Sequence, residues 1–252
     1  KEFQHFYESN SAKDIEQEER DEKLCKFEDF VLAPHQHFVK SFISHHTPYN
    51  GLLLYHGMGS GKTCSSIGIC EEYRKNNKYN RQFKKIIIIA SPNVQDNFKH
   101  QLVDLASIKQ ENGLWNIGGC VGNSLLMELN FQDLHKMTKE ELVKKMNRFV
   151  KKHYQFIGYE KFANEIESKL VSSSKKKTKQ NMRDYFEGRL IVVDEVHNIR
   201  MVEGNTKTKK IGSAFQILLK YVKHMKLLFL SGTPMYNDPK EIIFLLNLLN
   251  QN

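Results

Sequence analysis

At 252 residues and 40% hydrophobic content, the chain can bury a sizeable core, and its single series of β-type runs favours one α/β unit. The net charge of +9 suits a polyanionic partner, with nucleic acid the natural candidate, and no apolar run nears the ~20 residues of a membrane span. None of the four cysteines (Cys25, Cys64, Cys70, Cys120) pairs at C-x-x-C spacing, so neither a zinc site nor a disulfide framework is expected, and a reducing compartment follows.

Residues 1–29 form an acidic, mixed-charge arm, loosely attached or disordered, as in Asp14 to Arg20. A globular unit is expected over 30–252. Its first segment, Phe30 to Ser44, carries a helical apolar face of Val31, Leu32, Phe38, Val39, Phe42 and Ile43. The run Leu52 to Tyr55 reads as a strand and 64–75 as a helix. Between them lies Gly57-Met58-Gly59-Ser60-Gly61-Lys62-Thr63. Strand, glycine loop, Lys-Thr and helix make a phosphate cradle. The glycines let backbone N–H groups face a polyphosphate, Lys62 reaches the β- and γ-phosphates, and the Thr63 hydroxyl ligates Mg²⁺. The helix dipole adds positive potential. A strict phosphate-loop pattern has Gly where this chain has His56, so the match is to the shorter Gly-x-Gly-Lys-Thr form.

Further strands are expected at 86–90, 156–158, 190–194 and 227–230. All are short, continuous and Ile-, Val- or Leu-rich, as strands buried on both faces of a parallel sheet are. Helices are expected at about 93–106, 138–153 and 211–223, which completes an alternating doubly wound pattern. The helix 138–153 has a basic face. Two polar stretches, 168–183 and 203–210, read as exposed loops, the first Ser/Lys-rich and flexible. The final helix starts at an Asp238 cap, with Pro239 in its first turn and Glu241 completing a capping box. The chain opens on Lys1 and closes on Gln251-Asn252 just after that helix, as a piece of something longer would.

The strand 190–193 runs into Asp194-Glu195-Val196-His197. A carboxylate at the carboxyl end of a parallel strand lies where open α/β sheets bind ligands. Asp194 is placed to hold Mg²⁺ opposite Thr63, and Glu195 to orient and deprotonate an attacking water. The strand 227–230 runs into Ser231-Gly232-Thr233-Pro234, whose hydroxyls are placed to hydrogen-bond His197 and couple nucleotide state to movement. Trp115, Tyr154 and Tyr159 have the chemistry to stack on bases, but core packing is the default for such residues. The histidines 35, 37, 45 and 46 lack Cys or acidic co-ligands at metal spacing.

Together these motifs resemble superfamily 2 DExH helicase-type ATPases, with motif I at 57–63, motif II at 194–197 and motif III at 231–234. Leu32-Ala33-Pro34-His35-Gln36 is similar to the segment whose Gln reads adenine, which nominates Gln36. Ser91, Pro92 and Asn93, with Gly158 and Tyr159, are similar to nucleic-acid contacts of that family. The stretch Gly232 to Asn237 and the Leu-rich helix after it resemble the Swi/Snf-like branch. The His-Gly-Met-Gly-Ser-Gly-Lys-Thr and Cys120-Val121-Gly122-Asn123 stretches resemble enzymes of large nucleocytoplasmic DNA viruses, of the poxvirus early transcription factor small subunit and nucleoside triphosphatase I type. The resemblance implies the first RecA-like lobe of a motor using ATP and Mg²⁺. His197 joins Lys62, Asp194 and Glu195 as catalytic, while Ser231 and Thr233 couple the two lobes. It also implies partners: nucleic acid (duplex DNA first), a second RecA-like lobe absent from this chain, and transcription subunits. A viral enzyme of this kind would work in the virion and host cytoplasm. The other reading is an ATP-gated DNA-binding or assembly subunit with little turnover.

Overall fold

The computed structural model describes residues 32–57, 59–77, 84–111, 114–128, 137–170, 174–199, 206–235 and 238–251. The acidic arm at 1–29, Met58, and the start of the second polar stretch lie outside the described residues.

Five parallel strands form the central sheet: β1 (Gly51–Tyr55), β2 (Ile86–Ile89), β5 (Tyr154–Ile157), β6 (Leu190–Val193) and β7 (Lys226–Ser231), in the order β1-β7-β6-β2-β5. Each expected strand is there. The inner strands are buried along their whole length, because helices cover both faces. Strand side chains alternate, so each apolar run feeds two cores. Ile86, Ile88, Leu190, Val192, Leu228 and Leu230 face one core, while Ile87, Ile89, Ile191, Val193, Leu227 and Phe229 face the other.

The first core is closed by α1 (Pro34–Phe42), α2 (Lys62–Asn76), α3 (Pro92–Leu102), α4 (Gly122–Glu128) and α5 (Lys139–His153). The second is closed by α6 (Tyr159–Leu170), α7 (Lys175–Phe186), α8 (Thr206–Tyr221) and α9 (Pro239–Asn250). The Asp238 cap on α9 holds, since its carboxylate accepts from Lys240 N–H at 2.8 Å and Pro239 opens the helix, but the expected capping box with Glu241 is not formed. The cap on α5 is a reciprocal box between Thr138 and Glu141.

Four expectations need correction. The helix near 93–106 ends at Leu102, and an antiparallel hairpin follows, β3 (Asp104–Glu111) with β4 (Leu114–Gly118). Trp115 in that hairpin packs against the first core. The basic stretch 168–183 is not a loop: residues through Leu170 finish α6 and those from Lys175 form α7, capped by Ser174. Likewise α8 begins at Thr206, inside the second polar stretch. Finally, Cys64 and Cys120 are joined as a disulfide with Cα atoms 5.6 Å apart, although they are 56 residues apart in sequence. Local spacing could not reveal this pair, because the fold brings the first turn of α2 against the turn after β4.

A buried polar network ties α2 to its neighbours. Arg74 pairs with Glu71 at 2.6 Å and with Glu128 at 2.5 Å, and the Tyr154 hydroxyl donates to Glu71 at 2.5 Å. No helix of the described residues is long and apolar enough to cross a membrane.

Candidate nucleotide site

The strand order sets the site. β1, β7 and β6 are neighbours, so the segments leaving their carboxyl ends, 56–61, 231–235 and 194–197, converge. These are the three stretches singled out in the sequence.

The phosphate loop runs from β1 into α2. Gly59 and Gly61 adopt φ values of 81° and 76°, in the left-handed region that glycine enters without penalty. A Cβ at Gly57 or Gly59 would meet nothing within 4 Å, so the loop borders open space. Among the described residues nothing accepts from the Gly59 and Gly61 N–H groups. Those donors and the first turn of α2 are the groups an anionic phosphate satisfies.

Gln36 braces this loop from α1. Its Oε1 accepts from Ala33 N–H at 2.9 Å and its Nε2 donates to Gly61 O at 3.2 Å. The side chain is 5% exposed. Gln36 thus supports the glycine loop through its side-chain amide.

Lys62 opens α2 and reaches across to β6. Its Nζ lies 3.0 Å from Glu195 Oε1 and 3.8 Å from Asp194 Oδ1. Burial raises the Asp194 carboxyl above its ordinary pKa, and the neighbouring Lys62 charge opposes that rise. The Thr63 hydroxyl donates to no group among the described residues and is available as a metal ligand. Thr63, Asp194 and the free loop donors supply hard oxygen ligands and anion contacts of the type that Mg²⁺ and a triphosphate need, so the residues fit both groups.

His197 Nδ1 sits 3.3 Å from Glu195 Oε2, but the alignment is not that of a hydrogen bond, and this buried nitrogen has no such partner. The expected link from the Ser231 and Thr233 hydroxyls to His197 is not made. Ser231 Oγ accepts from Thr233 N–H at 3.1 Å instead, and Ser231 O accepts from His56 N–H at 3.2 Å. Ser231 thus joins the residue that precedes the glycine loop through the main chain. His56 itself has its imidazolium disfavoured by burial, by His35 and by Lys62.

Ser91, Pro92 and Asn93 form the exposed start of α3 at the end of β2. Gly158 has no neighbour within 4 Å of a notional Cβ. Tyr159, grouped with them from sequence, turns its hydroxyl inward to Asp194 O. Sequence reasoning missed Asn198, whose Nδ2 donates to Glu195 O at 3.0 Å. Its position three residues after Glu195, in a short 3-10 turn, was the available signal.

Comparison with known proteins agrees with this geometry. The protein described as "Putative helicase 087L" of Invertebrate iridescent virus 3 is 32% identical over 239 residues, covering 90% of this chain and 21% of the relative. A "Termination factor NPH-I homolog" of African swine fever virus (isolate Tick/Malawi/Lil 20-1/1983) is 22% identical, covering 98% of this chain and 29% of the relative. The chain therefore spans between a fifth and a third of these relatives. The solved structure "DEAD-box helicase Mss116 bound to ssRNA and UDP-BeF" is similar at a TM-score of 0.51 and 14% identity, covering 91% of this chain and 40% of that one. That likeness establishes the fold alone, a RecA-like α/β lobe, and the share covered is that of a single lobe. The SNF2-related domain profile matches residues 35–252, and the chain belongs to that family.

Proposed function

We propose that this chain is the ATP-binding lobe of a nucleic-acid-dependent ATPase of the translocase or helicase type, hydrolysing ATP to ADP and phosphate. The observation that carries this reading is the meeting of Lys62, at the start of α2, with Asp194 and Glu195, just past the carboxyl end of β6. Lys62 neutralises the two carboxylates. An entering triphosphate competes for Lys62 and frees Glu195 to orient water for in-line attack on the γ-phosphate. Thr63 and Asp194 would hold Mg²⁺, which neutralises charge on the β- and γ-oxygens when bound.

The viral relatives support a role in viral transcription or genome handling, and the virion and host cytoplasm are the proposed places of work. Duplex DNA is the proposed track, and a second RecA-like lobe of the same polypeptide is the proposed partner in hydrolysis, with transcription subunits as further partners. The exposed end of α3 and the Gly158 turn are the proposed nucleic-acid contacts on this lobe.

The test is ATP hydrolysis by the intact protein with no nucleic acid, single-stranded DNA, duplex DNA and RNA, with Lys62→Ala as control. Stimulation by duplex DNA that disappears in Lys62→Ala is expected. Lys62-dependent hydrolysis indifferent to every nucleic acid would overturn the motor reading in favour of an ATP-gated assembly subunit.

A further inference from the structure

The backbone of Glu195 is unusual. Its φ is 47°, and it is the only non-glycine residue with positive φ among the described residues. A side chain there crowds the following carbonyl, so this conformation persists only where surrounding contacts impose it.

Those contacts come from every side. The peptide before Glu195 is held at both ends: Glu195 N–H donates to Asp194 Oδ1 at 2.9 Å, and Asp194 O accepts from the Tyr159 hydroxyl. The carbonyl after it accepts twice from one residue, Asn198, through its backbone N–H and its side-chain Nδ2, each at 3.0 Å. The same Nδ2 lies 3.4 Å from the Tyr159 oxygen, so the two side chains are also joined to each other. The Tyr159 ring packs against the second core, which anchors the hydroxyl. With both flanking peptide planes pinned, φ and ψ of Glu195 are set, and with them the direction in which its side chain leaves the backbone, while Lys62 holds the carboxylate at 3.0 Å.

We propose that Tyr159 and Asn198 form a brace that holds Glu195 in its left-handed conformation and aims its carboxylate at the nucleotide. Tyr159 is a positioning residue. It sits at the start of α6, outside the three motifs, and reaches the turn after β6 from the end of β5, across the intervening β2. The brace deepens the proposed hydrolytic role of Glu195 and rests on that reading for its catalytic consequence, while its structural part stands apart from it.

Two measurements separate these parts. Tyr159→Phe deletes the hydroxyl and keeps the packed ring. In this chain, amide hydrogen exchange of the 194–199 turn is expected to accelerate at least about 10-fold in Tyr159→Phe and in Asn198→Ala, with the rest of the sheet unchanged. Unchanged exchange in both variants would overturn the brace, whatever the protein hydrolyses. In the intact protein, Tyr159→Phe is expected to lower kcat about 10-fold while the ATP dissociation constant stays within about 2-fold. Faster exchange with an unaltered kcat would overturn the positioning role. Wild-type protein without hydrolysis would instead sink the hydrolytic reading, and the exchange result would still decide the brace.

Discussion

At the scale of single residues, Gly61 shows how the phosphate loop depends on one missing atom. It has φ +76°, and a Cβ there would lie 2.5 Å from Gln36 Nε2. Gly61→Ala should therefore lose about 1–2 kcal/mol of stability from backbone strain, and more from the displaced amide. Adding Gln36→Ala removes the collision and leaves the strain. Denaturant titration of the single and double variants separates the two, and a Gly61→Ala protein as stable as wild type would show that the loop rearranges freely. Glu195 gives a different kind of prediction. Its carboxylate holds Lys62 at 3.0 Å. Glu195→Gln removes a competing charge from Lys62, so ATP affinity should hold or rise while hydrolysis falls at least about 100-fold. Equal loss of binding and turnover would instead make Glu195 a structural partner of Lys62. These two residues were readable from sequence because their chemistry is tied to motif spacing. Asn198 and the Tyr159 hydroxyl were not, since they act through backbone carbonyls that any residue carries.

At the scale of elements, the strands were legible and the pieces between them less so, for a physical reason. A strand covered on both faces must be apolar at every position, and the Ile86–Ile89 run says so without context. The α7 helix buries only Thr178, Met182 and Phe186, a thin stripe at spacing four in a lysine-rich stretch. Composition hid it. The β3–β4 hairpin was hidden by Leu102 and Leu105, whose spacing of three prolonged the apparent helix of α3. The disulfide between Cys64 and Cys120 is wholly tertiary, and it fastens this hairpin region to the first turn of α2. Closing a loop of 56 residues restricts the unfolded chain, by roughly 4 kcal/mol in the chain-entropy account. Cys120→Ser should thus lower the stability of the oxidised protein by about 2–4 kcal/mol, and dithiothreitol should bring wild type down to the variant. Identical denaturation curves with and without reductant would mean that the bond is not formed in solution. The Arg74–Glu71–Glu128 network meets α2 at its other end, so the helix that carries Lys62 is secured at both termini.

At the scale of the molecule, the glycine loop borders open space at Gly57 and Gly59. On the proposed reading Lys62, Thr63, Asp194 and Glu195 contact phosphate, hold the metal and supply the base, all beyond the carboxyl ends of strands of one sheet. No arginine of the described residues approaches the carboxylates of motif II in an ion pair, and charge growing on the γ-phosphate needs a cation on the face opposite Lys62. On the proposed reading that cation comes from a second lobe closing over the nucleotide. This chain alone should then bind MgATP in a Lys62-dependent way yet turn it over at least about 1,000-fold more slowly than the intact protein, the range an added arginine commands. Binding by calorimetry and single-turnover hydrolysis on both proteins make the comparison. If the isolated chain hydrolysed ATP as fast as the intact protein, the four residues at the strand ends would be sufficient for chemistry, and the remainder of the polypeptide would serve to move or select the nucleic acid.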